Sequence, residues 1–390
     1  MALKRNDVTA VGLQYAPAGI QMTIYNNSMR EPGTVGADSD DSDNGMIPLP
    51  QEAVREAEGI TEGTEALSAF LKEQFTHILD TDDFSMLRIM VTIPENHDSA
   101  WEKMPGALLG IGVERKHIYL QDYLSSFYFY SVNQKKDLWN QDVALLEFEG
   151  GEMIGYVLSI DRTKSPAVAL VQQCASTRVD ESLREGRNSA EWDREKDRLF
   201  FEFLKRVFER RSVGTCYLLS DFYDKSWAKR SFQYLCYHRR AFQGKNLYTR
   251  GACYAAMERA KMLVMPPILF LGKDIVKQNL GMYMRVRGKS VFYSLISAGV
   301  NWYEAHFECE MVPDHEDMLT LISTPLEEGE PVAHILRLDH MLKRPDRATR
   351  LALSVYFVSP YQCRVECEDL GFGEMYRSSG KKWTRMISFS

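Results

Sequence analysis

Val213–Ala256 reads VGTCYLLSDFYDKSWAKRSFQYLCYHRRAFQGKNLYTRGACYAA. Val213–Leu219 is a short apolar run bounded by turn residues, the pattern of a buried strand. Ser220 and Asp221 form a turn, and Asp224 stands where it can cap a helix beginning near Lys225. A linker follows, and then a second helix opened by Gly251. In an α/β protein a strand-to-helix turn of this kind lies at the carboxyl edge of a sheet, where ligands usually bind. The residues before it supply material for two such sheets, and those after it for a separate β domain.

Upstream, Thr9–Leu13 and Ile20–Tyr25 form a hairpin around QYAPAG. Gly33–Gly45 is an acidic, Gly/Ser-rich loop, expected to be mobile. Leu67, Phe70, Leu71, Phe75 and Ile78 have helical spacing. Leu87–Ile93 is a buried strand ending at Pro94. Ser99–Gly110 and Gln121–Ser131 read as helices, with Ile118–Leu120 a strand between them. Gln141–Phe148 and Gly155–Ile160 make a second hairpin around Gly150 and Gly151, with another strand at Ala167–Val171. Ser182–Ala190 is polar and loop-like. Trp192–Arg211 is an amphipathic helix with Leu199, Phe200, Phe203, Leu204, Val207 and Phe208 on one side.

Downstream of Ile268, short strands alternate with turn signals at Gly288, Asn301, Pro313, Glu328-Gly329, Pro345 and Gly371, the pattern of a β-sandwich. A chain of 390 residues that is 45% hydrophobic and 26% charged can bury more than one core. A net charge of −7 disfavours sequence-independent nucleic-acid binding, which needs an excess of cations. The longest apolar run, Met262–Leu271, is broken by Pro266 and Pro267, so no membrane span is expected. The N-terminus lacks the apolar core of a signal peptide. The 7 scattered cysteines suit reduced thiols in a cytoplasmic protein rather than a metal site or disulfide framework. Cys363 and Cys367 would share a strand face with Val365.

Three clusters carry a ligand reading beside a plain one. The cations Lys225, Lys229, Arg230, His238, Arg239, Arg240, Lys245 and Arg250 could bind an anion or an acidic partner, or form a solvated helix face. Asp314-His315-Glu316-Asp317 suggests metal ligands or an ordinary turn. Asn301-Trp302-Tyr303-Glu304 would bind peptide if exposed and fill the sandwich if buried. Asp369–Glu374 (DLGFGE) reads as a structural Gly-rich turn. No HExxH, CxxC pair, P-loop or Ser–His–Asp arrangement is present.

The order of parts resembles the actin-like ATPase superfamily, and its layout is similar to the DnaK-type heat-shock chaperones. Val11–Ile20 (VGLQYAPAGI) lies where that family has its first phosphate-binding hairpin. Val91–Glu95 (VTIPE) resembles the strand end written TVPA. Leu145–Glu152 (LLEFEGGE) resembles the second phosphate hairpin, Leu218–Phe222 (LLSDF) the adenosine turn, and Gly251–Ala256 (GACYAA) the helix closing the nucleotide domain. Ile268, Leu269, Phe270 and Leu271 look like the apolar interdomain linker, and LRLDHMLKRPDRATRLALSVYFV resembles part of the peptide-binding sandwich.

The resemblance implies two actin-like, ribonuclease-H-like α/β lobes at 1–140 and 141–265, a linker at 266–279 and a chaperone-type β-sandwich at 280–390. It further implies a divergent bacterial branch without the helical lid, since the chain stops at Ser390. It places Gln14, Tyr15, Ala16, Glu147, Gly150, Gly151, Ser220, Asp221 and Gly251 around ATP or ADP with Mg²⁺. Several of these depart from the family's chemistry. Gln14 stands for an Asp and carries no charge, Ala16 stands for a glycine, and Pro17 and Ala18 stand for hydroxyl residues. Pro17 has no N–H to donate. Ser220 and Asp221 replace two glycines, and Asp221 would either meet a ribose hydroxyl or cap a helix. Glu147 keeps an acidic position, and the glycines behind it serve either a phosphate or a plain turn.

The expectation is a degenerate relative with weak or no ATP hydrolysis, binding protein or extended peptide through its sandwich. One alternative is an active ATP-dependent chaperone that uses Glu147 to position the attacking water. Another is a structural or filament-forming actin relative.

Overall fold

A computed structural model describes residues 8–17, 19–35, 45–180, 188–313, 317–326, 329–345 and 347–389. Of the expected acidic loop Gly33–Gly45, residues 36–44 lie outside them, while its first two residues, Gly33–Thr34, form a strand; most of the polar stretch at 182–190, Glu328 and the 314–316 part of the acidic turn also lie outside. The chain folds as two compact units, Met1–Ile268 and Leu269–Ser390.

The first unit begins with β1 (Thr9–Ala16), β2 (Gly19–Tyr25), β3 (Gly33–Thr34), α1 (Gln51–Ala57), α2 (Glu65–Leu79), β4 (Leu87–Ile93), α3 (Asp98–Gly110), β5 (Ile118–Asp122) and α4 (Tyr123–Val132). The five strands form one sheet in the order β3-β2-β1-β4-β5. β1–β2 and β2–β3 are antiparallel, while β1–β4 and β4–β5 are parallel. Alternation along β1 sends Val11, Leu13 and Tyr15 into a core shared with Leu67, Leu71 and Phe75 of α2 and Met104 and Leu108 of α3. Glu56 of α1 is buried and accepts from the N–H groups of Ala66 and Leu67, capping α2 from a neighbouring helix.

A second set follows: β6 (Asp142–Glu149), β7 (Glu152–Asp161), β8 (Ala167–Arg178), α5 (Ser189–Phe208), β9 (Val213–Leu219), α6 (Lys229–Leu235), β10 (Arg240–Gln243) and α7 (Leu247–Arg259). Its strands run β8-β7-β6-β9-β10. Again the first two pairings are antiparallel and the last two parallel. The order and directions of the first sheet are thus repeated. Of the α5 stripe predicted from periodicity, Phe200, Phe203, Leu204, Val207 and Phe208 are buried in this core, and Leu199 packs against it half-buried.

Three details correct the sequence reading of Val213–Ala256. The helix after the turn starts at Lys229, not near Lys225, and its first N–H groups, on Arg230 and Ser231, are taken by Asp197 of α5. Asp224 instead closes a local turn by accepting from the Ser226 N–H. The linker contains β10, an exposed strand pairing parallel with β9. The second helix opens at Leu247, and Gly251 lies inside it.

α7 follows the second sheet in the chain yet packs on the first. Ala252, Cys253, Ala255, Ala256 and Met257 form a core with Ala10 and Met90, on the face opposite α2 and α3. Two glycines allow this approach. A Cβ on Gly12 of β1 would fall on the Thr249 carbonyl and the Cys253 N–H, and one on Gly251 would fall on the Ser126 carbonyl of α4.

The expected linker residues Ile268–Phe270 form a short strand, β11, at the boundary between the units. The second unit comprises β12 (Gln278–Val286), β13 (Lys289–Ile296), β14 (His306–Met311), β15 (Met318–Pro325), β16 (Val332–Arg337), β17 (Arg350–Ser359), β18 (Gln362–Gly371) and β19 (Lys382–Ser388). They make two four-stranded antiparallel sheets, β13-β12-β15-β16 and β14-β17-β18-β19. Both sheets contribute to one core, which includes Leu280, Leu321, Leu353, Val355, Val365 and Ile387. Cys363 and Cys367 flank Val365 in that core. Trp302 packs against it while Tyr303 is exposed.

Candidate functional site between the two hairpins

The carboxyl ends of β1 and β6 meet in a cleft of about 310 Å³, lined by residues that include Gln14, Ala16, Pro17, Glu147, Glu149, Ser220 and Asp221. Gln21, Tyr123, Lys245, Asn246 and Tyr248 line it as well. Five of the residues placed around a nucleotide by resemblance are therefore brought together: Gln14, Ala16, Glu147, Ser220 and Asp221.

The other four lie elsewhere. Tyr15 points the opposite way along β1 into the first core, where it is fully buried and meets His97 edge-on at 5.9 Å. Gly150 and Gly151 form the two-residue turn between Glu149 and Glu152, with φ of 58° and 79°. A hairpin turn of that kind requires positive φ at both positions, so the turn alone accounts for the glycines. Gly251 packs on α4.

Two residues that the sequence reading did not single out fill the floor of the cleft. The rings of Tyr123 and Tyr248 stack at 4.1 Å with 22° between their planes. The Tyr123 hydroxyl donates to the Tyr15 carbonyl at 2.6 Å and accepts from Gln14 Nε2 at 3.3 Å. The Tyr248 hydroxyl donates to Glu147 Oε1. A third tyrosine, Tyr223, donates to the Glu147 carbonyl at 2.6 Å. Gln21 Nε2 joins the hairpin to the start of α7 through Asn246 Oδ1 at 2.7 Å.

Burial pushes the Glu147 carboxyl up from its ordinary 4.5 to about 7. The Tyr248 bond acts against that rise, and the neighbouring Glu149 adds to it. The Tyr248 and Tyr123 hydroxyls are both raised by burial. The adenosine-type turn is braced from behind. Phe222 stacks on Phe148 at 3.7 Å, the Trp227 indole donates to the Phe222 carbonyl at 3.1 Å, and Ser220 Oγ accepts from the Phe222 N–H at 3.0 Å.

These side chains offer the phosphates of a nucleotide little direct help. A triphosphate needs convergent N–H donors and cations. The cleft instead offers Glu147, Glu149 and Asp221 against a single cation, Lys245, among its described lining residues. The Glu147 carboxyl already accepts from Tyr248. Among the described residues no three His, Cys, Asp or Glu side chains gather where they could share a metal ion. Among them, too, no helix is long and apolar enough to cross a membrane.

Comparison with solved structures gives low-identity likenesses. The apo ParM protein of psk41 is 10% identical with a TM-score of 0.40, over 66% of this chain and 98% of that one. A Bacteroides thetaiotaomicron protein with an actin-like ATPase fold and unknown function is 10% identical at a TM-score of 0.34, over 66% and 96%. The Aquifex aeolicus Ppx/GppA phosphatase is 11% identical at 0.36, over 65% and 92%. No curated protein matches the chain. Residues 275–389 match a domain of unknown function, DUF8552. Residues 49–273, more than half of the chain, match the model described as "Family of unknown function (DUF5716) C-terminal", and the chain belongs to that family.

Proposed function

We propose that the chain is a degenerate actin-like protein that binds protein or extended peptide, as a chaperone-like or scaffolding module, with weak or no ATP hydrolysis. The observation carrying this reading is the engagement of Glu147 by Tyr248, whose ring stacks on Tyr123 across the cleft floor. The one acid kept from the second phosphate hairpin serves a protein contact. Two further observations support it. The repeated strand order is what a duplicated, ribonuclease-H-like clamp would have. The cleft also stands at the small end of ligand pockets, which span about 300–1,000 Å³. The two-sheet second unit is the part read as binding peptide, by strand addition of the kind sheets support.

Thermal unfolding of the full chain with ATP or ADP and Mg²⁺ tests the first half. A ligand that binds only the native state raises the midpoint, and none of these should. A Mg²⁺-dependent rise, with turnover lost in Glu147→Ala, would overturn it in favour of a working ATPase. A panel of extended peptides tests the second half, and concentration-dependent sedimentation would point instead to a filament or complex subunit.

A further inference from the structure

We propose that strand β13 takes up an acidic, extended polypeptide segment as an added strand of its sheet. This rests on the peptide-binding reading above, and it specifies where the segment docks and what charge it carries.

β13 ends the sheet order β13-β12-β15-β16. It is joined to β12 by a two-residue turn, Arg287-Gly288, with φ of 50° and 80°. Val286 and Lys289 flank such a turn as a hydrogen-bonded pair. Bonded and non-bonded pairs alternate along an antiparallel ladder. Counting from that pair, Ser290 and Phe292 direct their N–H and C=O groups away from β12, along the outer edge.

Edges of this kind are usually blunted by charge, proline or bulges. β13 has no proline, its one charge, Lys289, stands at the turn, and its one register shift against β12 lies at Leu295, beyond the outward-facing Ser290 and Phe292. Its residues from Lys289 to Ser294 are exposed, and only Leu295 and Ile296 enter the core. Val291, Phe292 and Tyr293 are 45%, 43% and 43% exposed, and the cross-strand neighbour Tyr283 is 65% exposed. The Phe292 ring packs over Gly281 and meets Tyr283 at 5.4 Å, which fixes the hairpin in place. Tyr293 approaches Phe307 of β14 at 6.0 Å, so the free docking stretch is Lys289–Phe292.

Charge decides the occupant. At the turn of this hairpin stand Arg287 and Lys289, and its two strands, Gln278–Val286 and Lys289–Ile296, contain no Asp or Glu, in a chain of net charge −7. An acidic strand complements that hairpin. A second copy would set two cationic hairpins against each other. A nucleic acid or an anionic membrane would use the cations but not the row of outward amides, whereas an added strand uses both.

The test is fluorescence anisotropy of short labelled peptides with the full chain. The peptides alternate Val, Thr and Tyr with Glu, and controls replace Glu by Lys or N-methylate alternate backbone amides. The acidic peptide should bind, the Lys form should bind weakly, and N-methylation should abolish binding. Arg287→Asn with Lys289→Gln should weaken it about tenfold, and less so at high salt. Ser290→Pro removes an outward donor while keeping the bonds to β12 and should also weaken it.

Undiminished binding of the N-methylated peptide, equal binding of the Lys form, or displacement of the peptide by single-stranded DNA or anionic vesicles would overturn the proposal. So would dimerisation lost on Ser290→Pro. If peptides bind without dependence on charge or Ser290, only this site falls. If no extended peptide of any charge binds, the underlying reading falls with it.

Discussion

Tyr248 donates its hydroxyl to the Glu147 carboxylate, and its ring lies on that of Tyr123. The two tyrosines occupy matching places in a duplicated fold. Tyr123 is the first residue of α4 and Tyr248 the second of α7, and each helix follows the fifth strand of its set. Their polar partners also match. Gln14 is the last residue of β1 paired with β4, and Glu147 the last of β6 paired with β9. Tyr123 therefore holds the strand end of the first set, while Tyr248, on a helix that packs against the first sheet, reaches across to the strand end of the second. One half of the repeat keeps a neutral amide there and the other an acid, and the acid has its ionisation suppressed by burial.

Glu147→Gln should stabilise the protein, and only at higher pH. The folded Glu147 titrates near 7 against an ordinary 4.5. Its native state holds the proton more tightly than the unfolded chain does. The associated stability is complete below the unfolded value and is lost as pH rises through about 7. Glutamine imitates the protonated form at every pH. The variant should match the parent near about pH 4 and exceed it by roughly 1–3 kcal/mol near about pH 8. Thermal unfolding at both values checks this, and an equal difference at the two would refute it.

Tyr248→Phe should do the reverse. It removes a donor to a carboxylate that burial already disfavours, while the ring can still stack on Tyr123. The cost should be about 1–3 kcal/mol near neutral pH, and smaller where Glu147 is protonated. In a double-mutant cycle with Glu147→Gln the two changes should be strongly non-additive. Additivity would mean that the hydroxyl and the carboxylate do not interact in solution.

Gly251→Ala should act on folding rather than on any ligand. The added Cβ would meet the Ser126 carbonyl carbon at 2.7 Å, inside the contact of α7 with α4. Both neighbours are backbone, so the helices must separate, at a cost of about 1–3 kcal/mol. Gly150→Ala makes the contrast: nothing lies within 4 Å of its Cβ. The strain there is only that of φ 58°, about 1–2 kcal/mol. Chemical denaturation of both variants should place Gly251→Ala at least as far below the parent as Gly150→Ala. Normal stability of Gly251→Ala would reopen a ligand role for this glycine.

Periodicity made the strongly patterned elements legible. Leu87–Ile93 and Val213–Leu219 fall where the apolar runs put them, because a strand buried on both faces has little else to be. The α5 stripe was equally plain. What stayed hidden depends on contacts between residues distant in sequence. α6 is capped by Asp197, more than thirty residues earlier, so no local signal marked its start. β10 is only four residues long and mostly exposed, without the apolar alternation of a strand. In the cleft, Gln14 and Glu147 could be located from the hairpins. Tyr123 and Tyr248 could not, since an aromatic in a helix's first turn has no spacing that separates plugging a cleft from filling a core. A charged strand end lacking nearby cations could have prompted the search for a buried donor.

A buried ion pair should govern the second unit's behaviour in acid. Arg344 binds Asp369 through two bonds, Nη1 to Oδ1 at 2.7 Å and Nη2 to Oδ2 at 2.8 Å. Ser379 adds its N–H and hydroxyl at 3.0 and 2.5 Å, and the Gly371 N–H adds a bond at 2.9 Å. The two side chains are 5% and 0% exposed. Chiefly through Arg344, these donors hold the Asp369 carboxyl well below the usual carboxylate range. The sign is opposite to that of Glu147. This stability is present above the unfolded value of about 4 and disappears as pH falls towards the folded one. Asp369→Asn keeps the shape but leaves the Arg344 cation buried without its counter-charge, which should cost about 3–5 kcal/mol at neutral pH. Replacing both residues by apolar ones of similar volume should cost much less, because no lone charge remains. Denaturation of the three proteins between about pH 2 and 7 should show a slope for the parent that flattens in both variants. A single variant as stable as the parent at neutral pH would mean that the pair is solvated in the folded protein.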